Sequence, residues 1–346
     1  MARLTRAEAQ ERNRARVLAA ARAEFAERGF REAKIDVIAE RAELTRGAVY
    51  SNWPGKRALY FAVLAEDAEN APLPPDPEYG LTPREALGAF ARAWVARLPL
   101  VNDREAARLG LDLMPEVLAS EQTSRPFAQL TRLTASLLGL ALEHLDPTAG
   151  RLVRVAEAAL TMLHGASQLA AAAPGFGEPF NVVTACESFA DLPLPDVWPG
   201  QPPIVSPVRA VDEPWNPPPA LDLLSRQPIR TGKGVVAILG LHRLSAAEEM
   251  IRAASPTDEV AIAFVTAEPA ELSALGRLVI AEFRAGLFQA FPRPAWPRVQ
   301  IIADSGAFAA AAGVASAVDG TEVAVRVRNG RIVRRSEGFG ACHAVC

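Results

Sequence analysis

GFREAKIDVIAERAELTRGAVYSNWPGKRALYFAVL, residues 29–64 of a 346-residue chain, carries two helical periods with a break between them. Ile35, Ile38, Ala39 and Ala42 fall at i, i+3, i+4 and i+7 and give a first helix one apolar face. Glu43 and Leu44 interrupt that period, and the Thr45 hydroxyl is placed to cap a new helix. That second helix, from Arg46 to about Trp53, buries Val49 and leaves Arg46, Ala48, Tyr50, Ser51 and Asn52 outside. At Lys56 a third, longer helix begins. A short helix with a polar outer face and an apolar inner side suits entry into a DNA major groove.

The residues Gly29-Phe30, Ile38-Ala39, Leu44-Thr45-Arg46-Gly47, Val49-Tyr50, Ser51-Asn52-Trp53 and Lys56 with Leu59 stand in the order found in one family. The stretch resembles the DNA-binding domain of the TetR family of bacterial transcription regulators. It departs from that pattern at Lys34, where Thr is usual, at Glu43 in place of the common turn Gly, and at Gly55 in place of Ser. These departures bear on the turn and on one helix cap. The motif covers roughly a tenth of the chain, and a fifth with the preceding helix. The resemblance implies a helix-turn-helix head, a helical bundle that senses a ligand and dimerises, and repression of transcription from a palindromic operator. Its DNA-binding set would be Lys34, Thr45, Arg46, Gly47, Ala48, Tyr50, Ser51, Asn52 and Lys56. Thr45, Tyr50 and Lys56 suit phosphates, which set register; Arg46, Ala48, Ser51 and Asn52 suit base edges, with Arg46 able to reach guanine bidentately. Trp53 is expected in the core rather than on a base.

Charge supports a basic head on an acidic body. Residues 1–64 hold thirteen Lys/Arg against eight Asp/Glu, a net of +5; with −3 for the whole chain, the remainder carries −8. Clustered positive charge attracts phosphate. Half the residues are apolar, so large cores are possible and wholesale disorder is excluded. The charged N-terminus has no signal-peptide pattern, and the longest apolar runs, such as 158–173, are interrupted by His164, Ser167 and Gln168. A cytoplasmic protein without membrane association is expected. Three cysteines do not make a disulfide framework.

Length predicts two or three domains. Residues 1–64 are read as the head, with a short arm before a helix over 12–28 that Gly29 caps. Val17, Phe25, Ile38, Val49 and Trp53 are its core candidates. Residues 65–192 are read as a helical ligand-sensing and dimerisation domain, with helices near 82–97, 103–118, 126–145, 148–172 and 181–189. Pro115 should kink or end the second of these. Phe90, Trp94, Leu113, Met114, Phe127, Met162 and His164 are candidates to line an effector pocket, although such residues more often simply fill a core. His164 is expected as a hydrogen-bonded core residue rather than a metal ligand. Residues 193–231 hold eleven prolines and are read as a semi-extended linker, parts of it lying along a folded surface because of Trp198 and Trp215.

From residue 232 the period changes to β-α-β-α-β-α-β-β, an α/β domain ending in a hairpin at Asn329-Gly330. Ile302-Ala303-Asp304, Ala312-Gly313-Val314 and the hairpin over 323–338 resemble, more weakly, a thioredoxin-like fold of the peroxiredoxin type. Such enzymes keep a reactive cysteine after an early strand, at a helix N-terminus. The corresponding stretch here is Leu241-His242-Arg243-Leu244-Ser245, with no cysteine. Cys342 and Cys346 are possible redox residues, but two exposed thiols on a mobile tail is the plainer expectation; Cys186 is expected buried. No phosphate loop, G-x-S-x-G elbow or H-E-x-x-H is present, and no metal-ligand spacing. The chain is therefore read as a multidomain DNA-binding regulator: no enzyme, no cofactor, no metal, an unknown small-molecule effector and a homodimer. The alternative is a redox-responsive or partner-binding regulator in which the last domain and Cys342/Cys346 carry the signal. A last domain that only enlarges the dimer interface is a third reading.

Overall fold

A computed structural model describes residues 5–98, 109–197 and 204–346. Helix α1 spans Arg6–Glu32, starting earlier than expected because Thr5 and Glu8 form a reciprocal capping box. Gly29, at φ +73°, breaks it where a C-cap was expected, and a short turn follows. Helices α2 (Ile35–Arg41) and α3 (Arg46–Tyr50) meet through a turn in which the Leu44 N–H donates to the Ala39 carbonyl at 3.0 Å. Val17, Phe25, Ile38, Val49 and Trp53 are all buried and form the head's core. Helix α4 (Lys56–Asn70) buries every residue from Ala58 to Ala65. A helix apolar on all sides must be covered on all sides; α1 covers one of them.

The bundle comprises α5 (Pro83–Val95), α6 (Leu113–Leu118), α7 (Glu121–Leu145), α8 (Val153–Ala172) and α9 (Pro179–Phe189). The first part of the helix expected over 103–118 lies outside the described residues. The remainder turns at Asp112, and Pro115 sits in the first turn of α6, where a missing N–H is tolerated. Helix α7 begins before Pro126 and carries that proline inside it. Helix α8 begins later than 148, because Asp146 Oδ1 accepts from both the N–H (3.0 Å) and the hydroxyl (2.6 Å) of Thr148 and holds a turn there.

The C-terminal part is an α/β unit around a mixed six-stranded sheet: β1 (Val208–Pro214), β2 (Gly234–Gly240), β3 (Glu259–Val265), β4 (Gln300–Ala303), β5 (Glu322–Arg328) and β6 (Arg331–Glu337). The spatial order is β1-β6-β5-β2-β3-β4, parallel from β2 to β4 and antiparallel elsewhere. Asn329 and Gly330, at φ +50° and +71°, make the expected tight hairpin turn. The stretch 193–231 departs from the linker reading. It contributes β1, an edge strand whose only proline is its last residue, and it buries Trp215, Asp222 and Leu224. Trp198 lies outside the described residues.

Both sheet faces are buried along β2, β3 and β5, as alternating side chains on a covered sheet require. Val236, Ile238, Ala263 and Val325 pack with Trp215 and Phe308, the latter from α12 (Ala307–Ala311). Val235, Ala237, Ile262 and Phe264 face α10 (Ala246–Ala253), α11 (Pro269–Ala290) and α13 (Ala341–Ala344). That second layer is continuous with the core of the bundle and head, running from Val17 to Val345. Helix α11 makes the continuity. It lies against α4, α5 and α7, with Phe283 beside Phe90 at 6.1 Å between ring centroids.

The C-terminus corrects the expectation of a mobile tail. Cys342 is fully buried and Cys346 half-buried. Arg326, buried in β5, donates to the carbonyls of Val345 (2.8 Å) and Cys346 (3.1 Å) and so seats the last turn.

Candidate DNA-contacting site

Helix α3 stands on the surface of the head with Val49 as its buried anchor. Thr45 caps it: its hydroxyl oxygen accepts from the Ala48 N–H at 3.3 Å. Arg46, Gly47, Tyr50 and Ser51 are exposed, and Ala48 and Asn52 half-buried beside them. These residues therefore share one end of the head. The Arg46 guanidinium lies over the Tyr50 ring at 5.4 Å and 3.4 Å from Asp36, both pairings being open to water. Ser51 Oγ and Asn52 Nδ2 both donate to the Ala48 carbonyl, at 2.9 and 3.2 Å.

Lys34 is exposed at the N-cap of α2 without a side-chain cap bond, and its N–H reaches Glu24 Oε1 at 3.3 Å. Lys56 is more committed to the head itself. Its ammonium donates to the Arg31 and Ala33 carbonyls, each at 3.1 Å, and sits 4.6 Å from the Phe30 ring centroid. Gly55, the departure just before it, is the N-cap of α4 and supplies no side-chain bond. Glu43 holds the turn at φ +50°, the backbone region in which glycine is at ease, and its carboxylate pairs with Arg16 at 2.5 Å. Sequence reasoning missed Arg14, whose guanidinium lies 5.0 Å from the Trp53 ring centroid, and Asp36 beside Arg46. No local pattern marks either; the pairing of helices does.

The effector-pocket candidates lie in and around the core of the bundle. Phe90 is fully buried against α11. Trp94 donates its indole N–H to Ser167 Oγ at 2.9 Å and meets the His164 ring edge-on at 4.9 Å, with Phe127 at 5.9 Å from that ring. Burial among these rings pushes the His164 pKa down from its ordinary 6.5. Met114 and Met162 are half-buried, and Leu113 packs on the core. A cavity of about 640 Å³ opens elsewhere, where the end of α7 (Leu140, Glu143, His144) meets Arg252, Asp258 and Arg298 of the α/β unit. Among the described residues no three His, Cys, Asp or Glu side chains stand as a metal site. The thiols are held protonated: burial pushes Cys346 up to about 11 and Cys186, buried as expected, up to about 12, and it pushes Cys342 up as well.

A three-helix head that exposes a short capped polar helix defines a helix-turn-helix class. Residues 17–63, the core of this head, match the family described as bacterial regulatory proteins, tetR family. Two curated relatives, both from Pseudomonas putida, are 42% identical over 81 residues, or 23% of this chain: the HTH-type transcriptional regulator SrpR and the uncharacterized HTH-type transcriptional regulator TtgW. The match spans 38% and 60% of their respective lengths. Two solved structures from Rhodococcus sp. RHA1, a TetR transcriptional regulator and a TetR-like one, are 18% and 23% identical, with TM-scores of 0.34 and 0.31. They cover 53% and 54% of this chain and 95% and 96% of their own. No helix among the described residues is long and apolar enough to cross a membrane.

Proposed function

We propose that this protein is a dimeric, DNA-binding transcription regulator of the cytoplasm, acting as a ligand-responsive repressor. The observation that carries the reading is the exposed face of α3, with Arg46, Tyr50 and Ser51 outward, on a head of net positive charge. Two such heads, held by the bundles of a homodimer, would enter successive major grooves about 34–36 Å apart. Arg46, Ala48, Ser51 and Asn52 would face base edges, with Gly47 allowing close approach. Thr45, Tyr50 and Lys34 would meet phosphates, and Lys56 would do so with the donor its two carbonyl bonds leave. A small-molecule effector would alter the spacing or tilt of the heads and so weaken binding. The α/β unit is read as thioredoxin-like from its central parallel pair β2–β3 beside the antiparallel β5–β6 hairpin. Thiols buried and shifted away from thiolate do not favour the redox alternative.

Selection of bound duplexes from a random pool tests the reading. A palindrome with half-sites one helical turn apart is expected; recovery of no preferred sequence overturns it.

A further inference from the structure

Helix α4 is gripped at its first turn from two sides by consecutive residues. Lys56 holds the head through the Arg31 and Ala33 carbonyls, at the junction of α1 and α2. Arg57 turns the other way, and its Nε donates to Glu271 Oε1 of α11 at 2.7 Å. Both side chains of that pair are largely buried, with 25% and 20% exposure, so the pair is shielded from the screening that weakens surface pairs. The same junction gathers Asp112, which accepts from the Phe30 N–H at 2.7 Å, and Glu116, whose carboxyl burial pushes up while Arg57 and Lys56 draw it down. Head, bundle and α/β unit thus converge on one helical turn. At the other end of α4, Glu69 pairs bidentately with Arg277 of the same helix α11. The two pairs lie about 18 Å apart along α4, at 1.5 Å per residue.

We propose that Glu271, a residue of the α/β unit far from α3 in sequence, is a positioning residue for DNA binding. Through Arg57 it fixes the first turn of α4 and hence the angle at which the head is carried, so the α/β unit is the frame against which the head is oriented. This rests on the DNA-binding reading above. Loss of the Arg57–Glu271 pair frees the turn of α4 nearest the head. The Arg277–Glu69 pair joins the same two helices with the same chemistry but at the end away from the head.

The test uses the full chain and the duplex selected by wild-type protein, with affinity measured across a salt series and a thermal midpoint for each variant. Glu271→Gln should bind that duplex about fivefold more weakly or worse, with an unchanged salt slope because the phosphate contacts are the same in number. Arg57→Gln with Glu271→Gln should lose no more than either alone. Arg277→Gln should lower the thermal midpoint comparably yet bind within about twofold of wild type. Glu271→Gln binding like wild type overturns the proposal. So does Arg277→Gln weakening binding as much as Glu271→Gln, which would mean that any loosening of α4 from α11 suffices. Failure of the wild type itself to select DNA would overturn the DNA-binding reading, and this inference with it.

Discussion

Glu43 occupies a turn position that its backbone makes costly. At φ +50° a side-chain-bearing residue is strained by roughly 1 kcal/mol or more, while its exposed pair with Arg16 returns little. Glu43→Gly is therefore expected to raise the urea unfolding free energy by about 0.5–1 kcal/mol; an unchanged or lowered value would show the turn to be unstrained. Arg46→Ala should cost about 1–3 kcal/mol of discrimination at one base pair and relax preference there. Lys56→Ala should weaken binding to every sequence and flatten the salt dependence, and it should also lower the melting temperature, since that ammonium ties two backbone carbonyls. His164 makes a pH prediction. Its folded pKa lies below 6.5, so the unfolded chain takes up a proton first as pH falls. The stability it contributes is full above 6.5 and is lost as pH drops below that value. Urea midpoints measured from neutral to mildly acidic pH should fall less steeply in His164→Gln than in wild type.

At the scale of elements, helices α2, α3 and α4 were legible because their apolar period is local and Thr45 marks a start. The strands β2, β3, β5 and β6 were legible because short apolar runs and Asn329-Gly330 are local too. Misplaced ends came from side-chain bonds that periodicity does not encode, such as the Thr5–Glu8 capping box and the Asp146–Thr148 turn. Strand β1 was missed because its apolar content is low and prolines crowd its flanks; it is a strand only because β6 offers it an edge. The packing of α11 on α5 gives a sharp test. A methyl group at Gly286 would stand 2.5 Å from Phe90 Cε2. Gly286→Ala should destabilise the protein by about 1–3 kcal/mol through overpacking, seen as a lowered denaturation midpoint. A silent substitution would place α11 farther from the bundle.

For the whole molecule, the decisive feature is that the α/β unit is packed rather than tethered. Its helix α11 covers apolar faces of α4, α5 and α7 and shares one core with the head. A chain ending at residue 192 would expose those faces to water. Loss of a cooperative thermal transition, or aggregation in size-exclusion chromatography, is expected of it; a sharp transition at the wild-type temperature would show the first two parts to be independent. The sequence by itself determined the head: the two helical periods, the Thr45 cap and the polar face of α3 are written within some thirty residues. The succession of strands β2 to β6 along the chain was equally local. Which residues meet across long separations was decided only by the tertiary structure. Lys56 with the α1 end, Arg57 with Glu271, Phe90 with α11 and the burial of Cys342 all depend on how separated helices pack. No periodicity records such pairings, because each partner is individually an ordinary helical residue and acquires its role from the neighbour that folding brings to it.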